Sequence, residues 1–69
     1  MYRGELQEPP VKEGQIIENF TIIGTGIKGD GVGKHDNYVI IVPKTKEGQT
    51  YTIKVNKVYP KNAFGEVVN

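Results

Sequence analysis

The feature that most constrains this chain is a glycine-rich run that leads through a turn signal into an apolar strand, Lys28-Gly-Asp-Gly-Val-Gly-Lys-His-Asp-Asn-Tyr-Val-Ile-Ile-Val-Pro43. Gly29, Gly31 and Gly33 fall at every second position, so a strand would carry all three on one face. A face without side chains admits a second backbone or a ligand and lets the strand bend sharply. Asp36-Asn37 favours a tight reversal, because both side chains tolerate left-handed backbone angles. Tyr38–Val42 is apolar and rich in β-branched residues, as a central strand requires, and Pro43 lacks the N–H to continue a ladder. Bent strand, turn and central strand form a hairpin of the kind that supplies the binding face of small β-barrels.

The chain of 69 residues has room for one domain. A core of that size contributes a net stability of only about 3–5 kcal/mol. There is no cysteine and a single histidine, so neither a disulfide nor a zinc site can brace it. A barrel meets that constraint by removing sheet edges. Absence of cysteine fits a reducing compartment, and no run approaches the ~20 apolar residues of a membrane span. The expectation is a cytoplasmic protein with no membrane partner, acting as a monomer.

Net charge is only +1, but its distribution is uneven. Lys28 to Lys61 holds seven lysines against three acids, after an acidic beginning that contains Glu5, Glu8, Glu13 and Glu18. Such a basic body suits phosphates, and it equally suits an ordinary solvated surface.

Residues 1–10 end in Pro-Pro and are expected to form an extended arm ahead of a barrel over residues 11–69. Gln15–Ile23 is the first expected strand, with Phe20 and Ile22 inward and an irregularity near Ile16-Ile17. Gly24 and Gly26 are expected to turn the chain, and Ile27–Lys34 to form the second strand. Tyr38–Val42 is the third. Thr50–Tyr59 is the fourth, with Tyr51, Ile53 and Val55 on one face and Thr52, Lys54 and Asn56 on the other. Ala63–Val68 is the last, with Ala63, Gly65 and Val67 inward and Phe64, Glu66 and Val68 outward. No segment has a helical apolar period. The expected fold is all-β, a five-stranded antiparallel barrel.

Gly24-Thr25-Gly26-Ile27-Lys28-Gly29 matches a dinucleotide fingerprint only in letters, because no helix follows it. Gly33-Lys34 lacks both the first glycine and the hydroxyl residue of a phosphate loop. His35 has no nucleophile or carboxylate expected to face it, since strand or turn geometry would aim Asp36 away. It reads either as an exposed turn residue or as a contact to a base or phosphate. Phe64 stands between two small inward residues, which leaves its ring outside. Phe64 and Tyr38, beside the turn, then read either as satellite packing or as platforms for unpaired bases.

Val11-Lys-Glu-Gly14, the glycine run Lys28–Lys34, Tyr38–Pro43, Gly48 and the ending Ala63-Phe-Gly-Glu-Val-Val68 together resemble the TRAM domain. The resemblance covers residues 11–68, nearly the whole chain. It departs from the family pattern at Ile41, where an aromatic is common, and at Lys34, where arginine is frequent. It implies a small RNA-binding barrel like the oligonucleotide-binding fold, either fused to RNA-modifying enzymes or standing alone in archaea as a cold-shock-like RNA chaperone. On that reading Lys28, Lys34, Lys44, Lys46, Lys57 and Lys61 meet phosphates, and His35 gives a polar or stacking contact. Tyr38 and Phe64 stack on bases. The partner is RNA, single-stranded or in the loops of tRNA and rRNA. No catalysis, cofactor, metal or small-molecule substrate is expected. The competing reading is a module that docks on a ribosomal or RNA-modifying protein.

Overall fold

A computed structural model describes residues 10–26 and 28–68. Six strands follow one another: β1 (Ile16–Thr21), β2 (Gly24–Thr25), β3 (Gly31–His35), β4 (Tyr38–Val42), β5 (Thr50–Val58) and β6 (Asn62–Val67). No helix occurs among the described residues. The expected arm falls almost wholly outside them.

The strands form one sheet in the order β1-β5-β6-β4-β3-β2. Its two outer members, β1 and β2, are consecutive in the chain, and the sheet curls into a half-barrel with a seam between β1 and the β2–β3 edge. Ile22 sits at this seam. Its N–H donates to the Gln49 carbonyl (2.9 Å) and its carbonyl accepts from Gly48 N–H (2.8 Å). One residue on, Ile23 N–H donates to the Val32 carbonyl on the other side (2.8 Å). The barrel is all-β as expected, with Gly24–Thr25 as an additional short strand and one exception to antiparallel pairing. β4 and β6 run parallel, with Val39 beside Asn62 and Ile41 beside Phe64.

The first turn lies further along than the glycine pattern indicates. Gly24 and Thr25 pair with Val32 and Gly31, and the chain reverses over residues 26–30. There Gly26 N–H donates to the Asp30 carbonyl (2.8 Å), and Gly29 adopts the left-handed φ of 87° that the reversal needs. The second strand therefore begins at Gly31 rather than at Ile27, which lies outside the described residues. Gly29 leaves the strand face, and Gly31 and Gly33 alone share it.

That face turns inward. A Cβ on Gly33 would stand 2.5 Å from Cζ of Phe20 and 2.5 Å from the Thr21 carbonyl oxygen. One on Gly31 would run into the Thr45 side chain. Thr45 is buried and donates its hydroxyl to the Val42 carbonyl at 2.8 Å. The glycines thus admit β1 and a loop residue into the barrel interior, which is the backbone alternative of the two the sequence allowed.

Phe20 and Ile22 are buried as expected, together with Ile40, Val42, Ile53, Val55 and Ala63. Two bulges make this possible. On β1 an extra residue between Ile17 and Phe20 lets both face inward, with Asn19 at φ 58°. The irregularity falls two residues beyond its expected place. On β5 the register slips between Val55 and Lys57, so Lys57 faces outward opposite Phe64 and Val58 packs inward opposite Ala63. Uninterrupted alternation would have driven Lys57 into the core.

Candidate nucleic-acid interface

Strand register sorts the expected site residues along the barrel. β3 and β4 form a ladder from Gly31–Val42 at one end to His35–Tyr38 at the other. Asp36 and Asn37 close it with φ of 53° and 66°, the two-residue left-handed reversal expected of them. Because β6 lies parallel to β4, the β5–β6 turn at residues 59–61 arrives at the same end. Lys34, His35, Tyr38 and Lys61 therefore belong to one end of the barrel, while Phe64 and Lys57 sit further along the strands, in the row of Val32 and Ile41. Lys28 and the two lysines Lys44 and Lys46 lie on loops at the other. Four residue steps separate the ends, about 13 Å along the strands.

Three steps along the strands from the His35–Tyr38 pair, the outer sheet surface carries a row of register partners running Val32, Ile41, Phe64 and Lys57 across β3, β4, β6 and β5. Val32 and Ile41 are half-buried, while Phe64 keeps 39% of its surface exposed. A second aromatic side chain stands beside it. Tyr59, 45% exposed, meets Phe64 edge to face, with ring centroids 5.7 Å apart and planes at 89°. Pro60, Lys61 and Asn62 complete a pocket of about 510 Å³ with these two rings. Tyr59 was hidden because the β5 bulge resets which side chains face outward, and a bulge is a property of the pairing rather than of the strand alone.

Tyr38 supports this corner from beneath. Its hydroxyl donates to the Tyr59 carbonyl and to the Asn62 carbonyl (3.3 Å). Tyr59 N–H donates to the same Asn62 carbonyl at 2.7 Å. Three bonds thus fix the turn that carries both rings. The Tyr38 ring is half-buried, less open than Phe64.

His35 Nε2 lies 3.8 Å from Asp36 Oδ2, which corrects the expectation that the two point apart. The left-handed backbone of Asp36 breaks the alternation and folds its carboxylate back. The separation exceeds hydrogen-bond length, and both groups are open to water, so the contact is a weak ion pair that exists only when the histidine is protonated. Among the described residues no three His, Asp or Glu side chains gather as a metal site.

A curled β-sheet packed around an apolar core, with an aromatic pair and lysines on its outer surface, defines a small oligonucleotide-binding-like module. Residues 10–68 match the TRAM domain family, and the chain belongs to it. It is 39% identical over 59 residues to the ribosomal RNA large subunit methyltransferase E of Haloarcula marismortui, covering 86% of this chain and 22% of that protein. It is 41% identical over 58 residues to the translation initiation factor 2 subunit beta of Methanothrix thermoacetophila, covering 84% of this chain and 27% of the factor. An uncharacterized protein of Methanocaldococcus jannaschii is similar over most of its own length, at 39% identity, with 86% of this chain and 75% of that protein aligned. The solution structure of a conserved protein from Methanococcus maripaludis superposes with a TM-score of 0.84 at 35% identity over the full length of both chains.

Proposed function

We propose that this protein binds RNA with little sequence specificity and acts as an RNA chaperone that favours unpaired strands. The observation that carries this reading is Phe64, an exposed ring flanked by Lys57, its register partner, and by Lys61. An aromatic face accepts any base, and ammonium groups beside it neutralise the adjoining phosphates. Family membership supports the reading, as do relatives whose names concern ribosomal RNA and translation initiation. Lys34, Lys57 and Lys61 take phosphates on the Phe64 side, with His35 and Tyr38 at the nearby β3–β4 turn. Lys28, Lys44 and Lys46 extend the path along the barrel. The module binds as a cytoplasmic monomer and performs no chemistry of its own.

A second reading, docking on a ribosomal or RNA-modifying protein, draws on the larger relatives, of which this chain spans 22% and 27%. Filter binding with labelled RNA and no protein partner separates the two. Phe64→Ala tests the stacking role. Losing one stacked base should weaken RNA binding by about 1–3 kcal/mol. The circular dichroism spectrum should stay that of the parent, because the ring lies outside the core. A folded Phe64→Ala protein that binds like the parent would overturn the assignment.

A further inference from the structure

We infer that residues 1–9 of this same chain seat on the corner between Tyr59 and Phe64, with Leu6 in the pocket and Glu5 and Glu8 toward its lysines, and that RNA must displace them to bind. The competition rests on the RNA-binding reading; the seat does not. The two rings, 45% and 39% exposed, form an apolar pocket with Pro60, and Lys61 stands at its rim. Lys57 lies opposite Phe64 in register. The one ion pair among the described residues joins His35 and Asp36, so no described acid answers Lys57 or Lys61. An apolar hollow with cations beside it fits an apolar side chain flanked by anions. Residues 1–9, Met-Tyr-Arg-Gly-Glu-Leu-Gln-Glu-Pro, supply that pattern at Glu5-Leu6-Gln7-Glu8.

The point of attachment brings the segment to this side of the barrel. Val11 is buried in the core. Gly14 N–H donates to the Val55 carbonyl (2.7 Å), and Val55 N–H donates to the Gln15 carbonyl (2.9 Å). The chain therefore enters the barrel beside Val55 of β5, the strand that carries Lys57 and leads into Tyr59. The four residue steps from Val55 to Tyr59 span about 13 Å. Leu6, five residues ahead of Val11, has a reach of about 17 Å. A ligand tethered this closely acts at an effective concentration of about a millimolar, so even a weak contact is populated. A corner filled about nine-tenths of the time would lower RNA affinity about tenfold.

The test uses the full chain. It contains no cysteine, so Gln7→Cys gives a single site for a nitroxide spin label. Without RNA and at low salt, the label should broaden the amide NMR signals of Tyr59, Lys61 and Phe64 and leave those of Lys44 and Lys46, at the other end, sharp. Saturating oligouridine of about eight nucleotides should restore the broadened signals. Leu6→Ser, which changes no charge, should abolish the broadening and tighten oligouridine binding about threefold to tenfold, read by fluorescence anisotropy. Signals that the label leaves untouched, or broadens equally at both ends, would overturn the proposal and leave the corner to RNA or to a protein partner. Broadening that arises when spin-labelled and separately isotope-labelled chains are mixed would put one copy's segment on another, and would overturn it too. So would broadening that RNA does not relieve, or a Leu6→Ser protein that binds RNA like the parent. A parent that shows the broadening yet binds no oligouridine would overturn the RNA-binding reading instead, and the seat would stand.

Discussion

Gly33 shows how one missing side chain fixes a packing arrangement. An alanine there would push its methyl group to 2.5 Å from the Phe20 ring and from the Thr21 carbonyl oxygen. The ring can turn only within a packed core, and the carbonyl belongs to backbone, so neither yields easily. Gly33→Ala is expected to destabilise the protein by about 1–3 kcal/mol, read as a lower urea midpoint. A midpoint equal to the parent's would show that the seam is looser than its geometry. The alternation of glycines made the bare face legible in the sequence. What fills it was not legible, because Phe20 approaches from a distant strand. Phe20 and Ile22 themselves were readable as core, since their apolar character and spacing are local. Tyr59 was not, since its outward direction depends on a bulge.

The turns differ in how much of them the sequence discloses. Asp36-Asn37 is legible because its two residue types tolerate the left-handed angles that a two-residue hairpin demands. The first hairpin is harder to place, for Gly24, Gly26 and Gly29 all qualify and only hydrogen bonding chooses among them. The β5–β6 turn was marked by Pro60, but its attachment to β4 through Tyr38 was not, since that contact joins residues 21 and 24 positions apart. Tyr38→Phe isolates this attachment by keeping the ring and deleting the donor. It is expected to lower stability by about 1 kcal/mol and to weaken RNA binding a few-fold. Thermal unfolding and anisotropy measured on one preparation check both effects. A variant that matches the parent in each would show that the hydroxyl does not hold the turn.

For the whole molecule, the parallel pairing of β4 with β6 decides where the surface residues gather. It brings the β3–β4 turn and the β5–β6 turn to one end, which a purely antiparallel succession would not have foretold. Of the lysines assigned to phosphates, Lys34 and Lys61 belong to that end, Lys57 stands beside Phe64 further along the strands, and Lys28, Lys44 and Lys46 belong to the other end. Counterion release turns this division into a measurement. Contact through Lys34, Lys57 and Lys61 alone predicts a logarithmic salt slope of about −2 for single-stranded RNA, and contact through all six lysines about −4. An affinity indifferent to salt would contradict phosphate binding at either end. Because Phe20 plugs the bore over Gly33, the cylinder is solid, and its ligands must be met on the rind. A binding surface of that kind is detachable from the architecture beneath it. Exterior letters can be rewritten for a new target while the plug and the glycines that receive it go on specifying the same shape.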